Sequence, residues 1–448
     1  MSRRAAPAPL PVTVLRGHSS GVQALCFLNE NTLLSGSQDG WVKVWNLQRR
    51  RTFAEFQAAT HGMGVQRLDR LGRGKIISQG RDMIINVWDA ERLAGDGGSG
   101  NEPGKVIAPE PLQQLPTGAF HFCQFALTRW REEVVAGKEN ENSSGSGRAV
   151  DGSGVGRRRG TDDRWGHGES ERQERELQGG GGKDPAAAAA PAPKPPPPPP
   201  SPPEEAGGGA RMEELCTSGR SAFEENIMLA PCGEQHSMSL WDLRKGKPAF
   251  TFAPKDADRK GMVMCVRLLG ESPSCTSPFA VTGHDSGHLC VYDLRATSAE
   301  PLLESRLHTA PLLCVDVGSS CEHGVSGSAD ESIKVFRMST KKASCEAVKT
   351  FPLEHPGTSC VEIRRDHKLF VSGGWDHRVR AFSWKSPRPL AVLRSHDKNV
   401  HAVAYSPRIG GLVSGSGDSR VAVWDLFPNE KAKARGGDAH VARVNRGR

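Results

Sequence analysis

The sequence predicts an all-β fold built from one repeated sheet unit, and three observations predict it. Six blocks share a spacing: a Ser or Thr, an Asp or Ser four residues on, and an aromatic six residues after that. They are Ser35/Asp39/Trp45, Ser78/Asp82/Trp88, Thr282/Ser286/Tyr292, Ser326/Asp330/Phe336, Ser372/Asp376/Phe382 and Ser414/Asp418/Trp424. Five blocks also carry a His 21 or 22 residues before the Asp: His18, His61, His308, His355 and His396. Between these markers lie short apolar runs such as Val22–Phe27 and Val42–Trp45, separated by Gly, Asp and Ser turns. Alternating runs with tight turns read as antiparallel strands, and a recurring period reads as a repeat array.

A His, a hydroxyl and a carboxylate also describe a hydrolase triad. Catalysis needs one exposed set with an oxyanion hole, whereas five copies at fixed spacing mark a repeated folding device. A buried carboxylate needs donors. Imidazole can donate from one nitrogen and accept at the other, and Trp can only donate. These residues resemble the WD40 repeat, whose four-stranded blades form a β-propeller. Trp88-Asp89, Trp241-Asp242 and Trp424-Asp425 are its namesake dipeptide. In that family His, Ser/Thr, Asp and Trp form a relay inside each blade. The resemblance implies full relays at His18/Ser35/Asp39/Trp45, His61/Ser78/Asp82/Trp88 and His396/Ser414/Asp418/Trp424. The sets His308/Ser326/Asp330 and His355/Ser372/Asp376 end in Phe336 and Phe382, which cannot donate, and are truncated.

The blades follow in order. Blade one runs from His18 to Leu47 with an outer strand near Arg51–Phe56, and blade two from His61 to about Asp89. Blade three starts at Ala119–Leu127, resumes at Asn226–Ala230, ends at Asp242 and has no relay. Blade four, Met262–Asp293, lacks the His; its Asp285 stands one place early and leaves Ser286 at the relay position. Blades five, six and seven begin at His308, His355 and His396. Seven blades closed into a ring leave no exposed sheet edge between them. Blade seven ends at its third strand, and Val12–Leu15 is a spare strand ahead of blade one, expected to complete it. The expected organisation is a disordered N-terminus (1–11), blades one to three in part (12–136), a low-complexity disordered insertion in blade three (137–225), the remaining blades (226–428) and a basic disordered tail (429–448).

Gly and Pro number 51 and 31 of 448 residues, about 18% where roughly 12% is ordinary. The excess gathers in the insertion, at Gly179–Gly182 and Pro195–Pro200. That segment holds almost no apolar residues to offset ordering entropy, and closure entropy grows only slowly with loop length. Gly182-Lys183-Asp184 is no phosphate loop, because Ser or Thr must follow the Lys. Three readings of the insertion stay open: a spacer, a Pro-tract ligand for SH3, WW or profilin-type domains, or retained intron sequence.

The chain has no apolar run of about 18 residues, so no membrane-crossing helix is expected. Met1–Pro11 is basic with no apolar core, so no secretory signal is expected. The 11 Cys are scattered without a C-x-x-C pair. No disulfide framework, metal or cofactor is expected, and the cytoplasm and nucleus are the expected compartments. Net charge is +8, with +3 in residues 1–16, +4 in 428–448 and −4 in 137–225. The remainder shows no basic stripe of the kind nucleic acid requires, so no direct nucleic-acid partner is expected. Lys431-Ala-Lys433-Ala-Arg435 reads as a nuclear-targeting candidate or a solvated terminus.

Ser78–Asp82, Gly261–Cys265, Gly373–Arg378 and Pro389–Leu393 are similar to a narrower group. It comprises the guanine nucleotide-binding protein β-subunit-like protein 1, ASTRA-associated protein 1 and the plant protein decreased size exclusion limit 1. That resemblance implies a non-enzymatic adaptor, a monomer within a complex, linked to the triple-T co-chaperone assembly that matures phosphatidylinositol-3-kinase-related kinases. The plant branch is linked to plasmodesmatal transport and embryo development. The first repeat His is residue 18, preceded by Pro7, Pro9 and Pro11. No helix there fits the coiled coil that grips a G-protein γ subunit, and no γ partner is expected.

The residue before each relay Asp lies in the turn between strands b and c, near the central mouth: Gln38, Arg81, Asp285, Ala329, Trp375 and Gly417. Arg81 and Trp375, with His377 and Arg378, are the partner-binding candidates, because Trp and Arg are enriched at binding hot spots. The alternative is that Trp375 packs over the neighbouring blade. A second function class follows from Trp241-Asp242-Leu-Arg244, which matches the W-D-x-R box of substrate receptors for cullin-4 ubiquitin ligases. An Arg there also serves simply as a strand-end cation.

Overall fold

The computed structural model describes residues 9–60, 62–72, 74–94, 105–118, 123–127, 227–231, 237–252, 260–269, 278–294, 296, 300–384, 386, 388–406 and 411–426. All lie in one compact unit, residues 1–130 and 206–448; the second unit, residues 131–205, lies outside the described residues. The expected insertion, His61 and the tail from 429 also fall outside them.

Seven antiparallel sheets form the seven blades of a propeller, each running from an inner strand a through b and c to an outer strand d. The inner strands are Val22–Phe27, Val65–Arg70, Ala126–Leu127, Val263–Leu269, Leu312–Val317, Thr358–Ile363 and Val400–Tyr405. The outer strands are Arg51–Gln57, Gln113–Pro116, Lys247–Phe252, Leu303–Arg306, Ser344–Pro352, Ala391–Arg394 and, for blade seven, Thr13–Arg16. This last strand pairs with Arg420–Asp425 from Thr13↔Val423 to Arg16↔Arg420. The Val12 amide extends the pairing, donating to the Val423 carbonyl at 2.8 Å. Leu15 anchors the strand, buried among Val22, Trp45, Val413 and Val421 of blades one and seven.

The recurring Ser-Gly of strand b has two separate causes. The Ser belongs to the relay, and the Gly makes room for the next blade. A Cβ on Gly36 would lie 2.6 Å from Val65 Cγ1 of blade two, and on Gly373 2.6 Å from Val400 Cγ1 of blade seven. On Gly415 it would lie 2.7 Å from Val22 Cγ1 of blade one. The interface that joins the chain's two ends is therefore packed like the others.

Two features depart from the repeat. Blade two reaches its outer strand by a short helix, Ala90–Ala94, and by Lys105–Val106, which pairs parallel to the outer strand of blade one as a fifth strand. Blade three has an inner strand of only two residues, and the Gln79 amide of blade two steadies it. Gln79 Nε2 donates to the Cys123 carbonyl at 3.1 Å, and Phe125 N donates to Gln79 Oε1 at 2.9 Å.

Candidate functional site: the blade relays and the partner-binding face

Blade seven holds the one relay that is complete from Trp to Asp among the described residues. Trp424 Nε1 donates to Ser414 Oγ at 3.0 Å, which lies 2.8 Å from His396 Nε2. His396 Nδ1 is 3.0 Å from Asp418 Oδ2. Because a carboxylate can only accept, Nδ1 carries the proton, and Nε2 accepts from the Ser hydroxyl. Blade five repeats this at 2.8 Å for His308–Asp330 and 2.9 Å for His308–Ser326, and Phe336 ends the chain of bonds.

The implied full relay of blade one is open. Trp45 Nε1 reaches Ser35 Oγ at 2.7 Å, and Ser35 lies 2.6 Å from His18 Nε2. His18 Nδ1 is buried with no hydrogen-bond partner. Asp39 has turned away, accepting instead from the hydroxyls of Ser19 and Ser37. In blade two Trp88 donates to Ser78 at 2.9 Å, and Asp82 accepts from Thr60 N at 2.8 Å; His61 lies outside the described residues.

Blade six corrects the assignment of His355, which is exposed and takes no part in a relay with Ser372 and Asp376. The reason is register. His18, His308 and His396 stand four residues before their inner strand, and His355 stands three before Thr358. Arg380 replaces it. Its guanidinium meets Asp376 at 3.1 Å and 2.5 Å, and both side chains are 7% exposed. Burial opposes ionisation of Asp376, and the Arg380 hydrogen bonds and charge outweigh it, holding the carboxyl below its ordinary range.

Blade four builds a substitute that the spacing did not show. His284 Nδ1 is 3.2 Å from the Gly261 carbonyl and so donates to it; Nε2 is 2.9 Å from Thr282 Oγ1. Ser286 donates to the Lys260 carbonyl at 2.6 Å, and Lys260 Nζ, with a side chain 1% exposed, pairs with Glu304 at 3.1 Å. The nearest sequence signal was Thr282 and His284, two apart on one strand face. In blade three Trp241 Nε1 is buried without a partner, because the strand register puts Ala230, opposite Ser239, at the place that Ser35 and Ser414 hold in blades one and seven.

Six turns between strands b and c share one bond. The amides of Gln38, Arg81, Asp285, Ala329, Trp375 and Gly417 donate to Gly21, Met262 and the equivalent carbonyls just before each inner strand, at 2.8 to 3.0 Å. These six residues therefore stand at equivalent places on one face. Trp375 is 41% exposed. It rests on Gly357 (φ +91°), where a Cβ would run into the indole ring. Beside it His377 is exposed in the left-handed region (φ 67°), and Arg378 donates to Glu354 at 3.0 Å. Arg81 is three blades away. There, behind burial, its charge helps hold His401 of blade seven below the ordinary histidine pKa. Trp375, His377 and Arg378 are thus one group, and Arg81 is another. Arg244 folds back on Asp242, with Nε–Oδ1 and Nη2–Oδ2 both 3.0 Å, and Trp241 beside it is buried.

The family profile described as "WD domain, G-beta repeat" matches residues 10–46, 345–383 and 387–425. Each match begins with the outer strand of one blade and runs into the next. The chain is 34% identical over 178 residues to the mouse guanine nucleotide-binding protein subunit beta-like protein 1, covering 40% of this chain and 53% of the relative. It is 29% identical over 181 residues to ASTRA-associated protein 1 of Schizosaccharomyces japonicus, covering 38% and 49%. These matches span about half the length of either relative. ASTRA-associated protein 1 of Aspergillus flavus is 24% identical over 440 residues, covering 92% of this chain and 86% of the relative. The chain is thus a seven-bladed β-propeller in which WD40 repeats are found, and it is similar over most of its length to ASTRA-associated protein 1 of Aspergillus flavus.

Proposed function

We propose that this chain is a non-enzymatic adaptor that holds protein partners within a larger assembly, of the kind named in its ASTRA-associated relatives. The observation that carries the reading is Trp375: a large aromatic, 41% exposed, fixed on Gly357 on the face of the b–c turns. An exposed aromatic held rigidly by backbone loses little entropy on binding, which suits a hot spot. The co-chaperone role and the plant roles in plasmodesmatal transport and embryo development follow from the resemblance. Affinity purification of the intact chain with mass spectrometry, beside Trp375→Ala, tests the reading. Loss of co-purifying proteins from a variant that melts like the parent supports it. An unchanged partner set would refute it. The ligase-receptor alternative rests on Trp241–Arg244 alone, and Arg244→Ala in a pull-down with the ligase's propeller adaptor separates the two.

A further inference from the structure

We propose that the face opposite Trp375 is a second docking surface, for an acidic segment of a protein partner. Strands alternate in direction across each blade, so the b–c turns lie on one face and the c–d turns on the other. The c–d turns carry basic clusters. In blade one Arg49, Arg50 and Arg51 are consecutive and exposed, and the turn from Leu47 to Thr52 holds no carboxylate. Arg50 has φ 54°, so the hairpin reverses at the middle arginine. In blade five Lys341 and Lys342 are exposed, and no acid stands between Ser339 and Ser344. Lys245 and Lys247 of blade three are exposed likewise. These residues are far apart in the chain, so a linear count of charge shows no stripe. The up-and-down strand order brings them to one rim.

The kind of partner follows from what separates the clusters. Glu91, Glu322 and Glu346 are exposed on the same side, in or beside the turns of blades two and five. An evenly anionic plane such as a bilayer would meet these carboxylates too. Single-stranded nucleic acid wants stacking aromatics beside the charge, and the exposed Trp375 is on the other face. A flexible run of Asp, Glu or phosphoserine can reach separate clusters, and guanidinium forks engage carboxylates two bonds at a time.

Fluorescence polarisation of the full chain with a fluorescein-labelled polyglutamate peptide tests this. Binding should weaken as salt is raised. The variant Arg49→Gln/Arg50→Asn/Arg51→Gln should bind roughly tenfold more weakly, about 1.4 kcal/mol. Asn at position 50 tolerates the left-handed backbone, so its melt should match the parent. Reversal at blade five, Lys341→Glu/Lys342→Glu, gives an independent loss. Trp375→Ala should leave this binding unchanged, which separates it from the adaptor reading above. Undiminished binding by both charge variants would overturn the proposal. So would tighter binding of single-stranded poly(U), or of phosphatidylserine vesicles, than of polyglutamate at matched salt.

Discussion

Removing the Asp376 carboxylate should harm this protein more than removing any carboxylate that serves a neutral imidazole. Arg380 Nη1 and Nη2 donate to the two oxygens at 3.1 and 2.5 Å, the Arg378 amide adds a bond at 3.3 Å, and both charged side chains are 7% exposed. Asp376→Ala strands a guanidinium in the sheet. Breaking a buried pair from one side costs roughly 3–5 kcal/mol. In blade seven Asp418→Ala leaves the His396 Nδ1 donor unpaired, a loss of about 1–3 kcal/mol. At roughly 2 °C per kcal/mol for a domain of this size, the first variant should melt about 6–10 °C below the parent. Its stability should return in large part in Asp376→Ala/Arg380→Met, where no charge is left to strand. Urea unfolding of the parent, both single variants and the double variant measures all of this. A loss below about 1 kcal/mol for Asp376→Ala, or a double variant no better than the single, would refute the reasoning.

Gly373→Ala would push a Cβ to 2.6 Å from Val400 Cγ1; overpacking of this kind costs roughly 1–3 kcal/mol, and a neutral result in thermal melting would contradict the packing role of the Ser-Gly glycine. The buried histidines set a pH dependence. Burial, then the charge of Lys43, takes His18 down from 6.5 to about 3, against the opposing charge of Asp39, and burial takes His284 to about 4. Burial also lowers His308 despite Asp330. In each case the unfolded chain binds the proton first. Stability is therefore full above pH 6.5 and falls as pH drops from 6.5 toward 4, by up to about 1.4 kcal/mol per unit for each histidine. The depressed carboxyls of Asp330, Asp376 and Asp418 add a further loss below pH 3.8. A flat profile in chemical unfolding between pH 6.5 and 4.5 would count against buried neutral histidines.

The fold was legible because its signals are local. Ser, Asp and Trp hold fixed offsets since strands b and c form one hairpin, and their spacing survives any change elsewhere. His positions were less secure, because an inner-strand hairpin of variable length lies between the His and the Asp. Blade one is shorter than blade five by one residue in that hairpin, and so 21 is correct for His18 and one too few for His355. Spacing also could not show that Ser19 and Ser37 would draw Asp39 off His18, nor that Arg380 would take over Asp376. Competition among side chains meeting in space leaves no periodic mark. The fifth strand at Lys105–Val106 has no alternation to betray it, and the basic rim emerges only when the strand order brings distant turns to one face.

The claim on which the rest depends is the closed ring, fastened where Thr13–Arg16 pairs with Arg420–Asp425. Native-state hydrogen exchange of the amides of Val12, Thr13 and Leu15 tests it most directly. The account predicts protection that is lost only in the global unfolding transition, together with the amides of Val421 and Val423. Exchange at the rate of a frayed terminus, while the inner strands stay protected, would show an open ring.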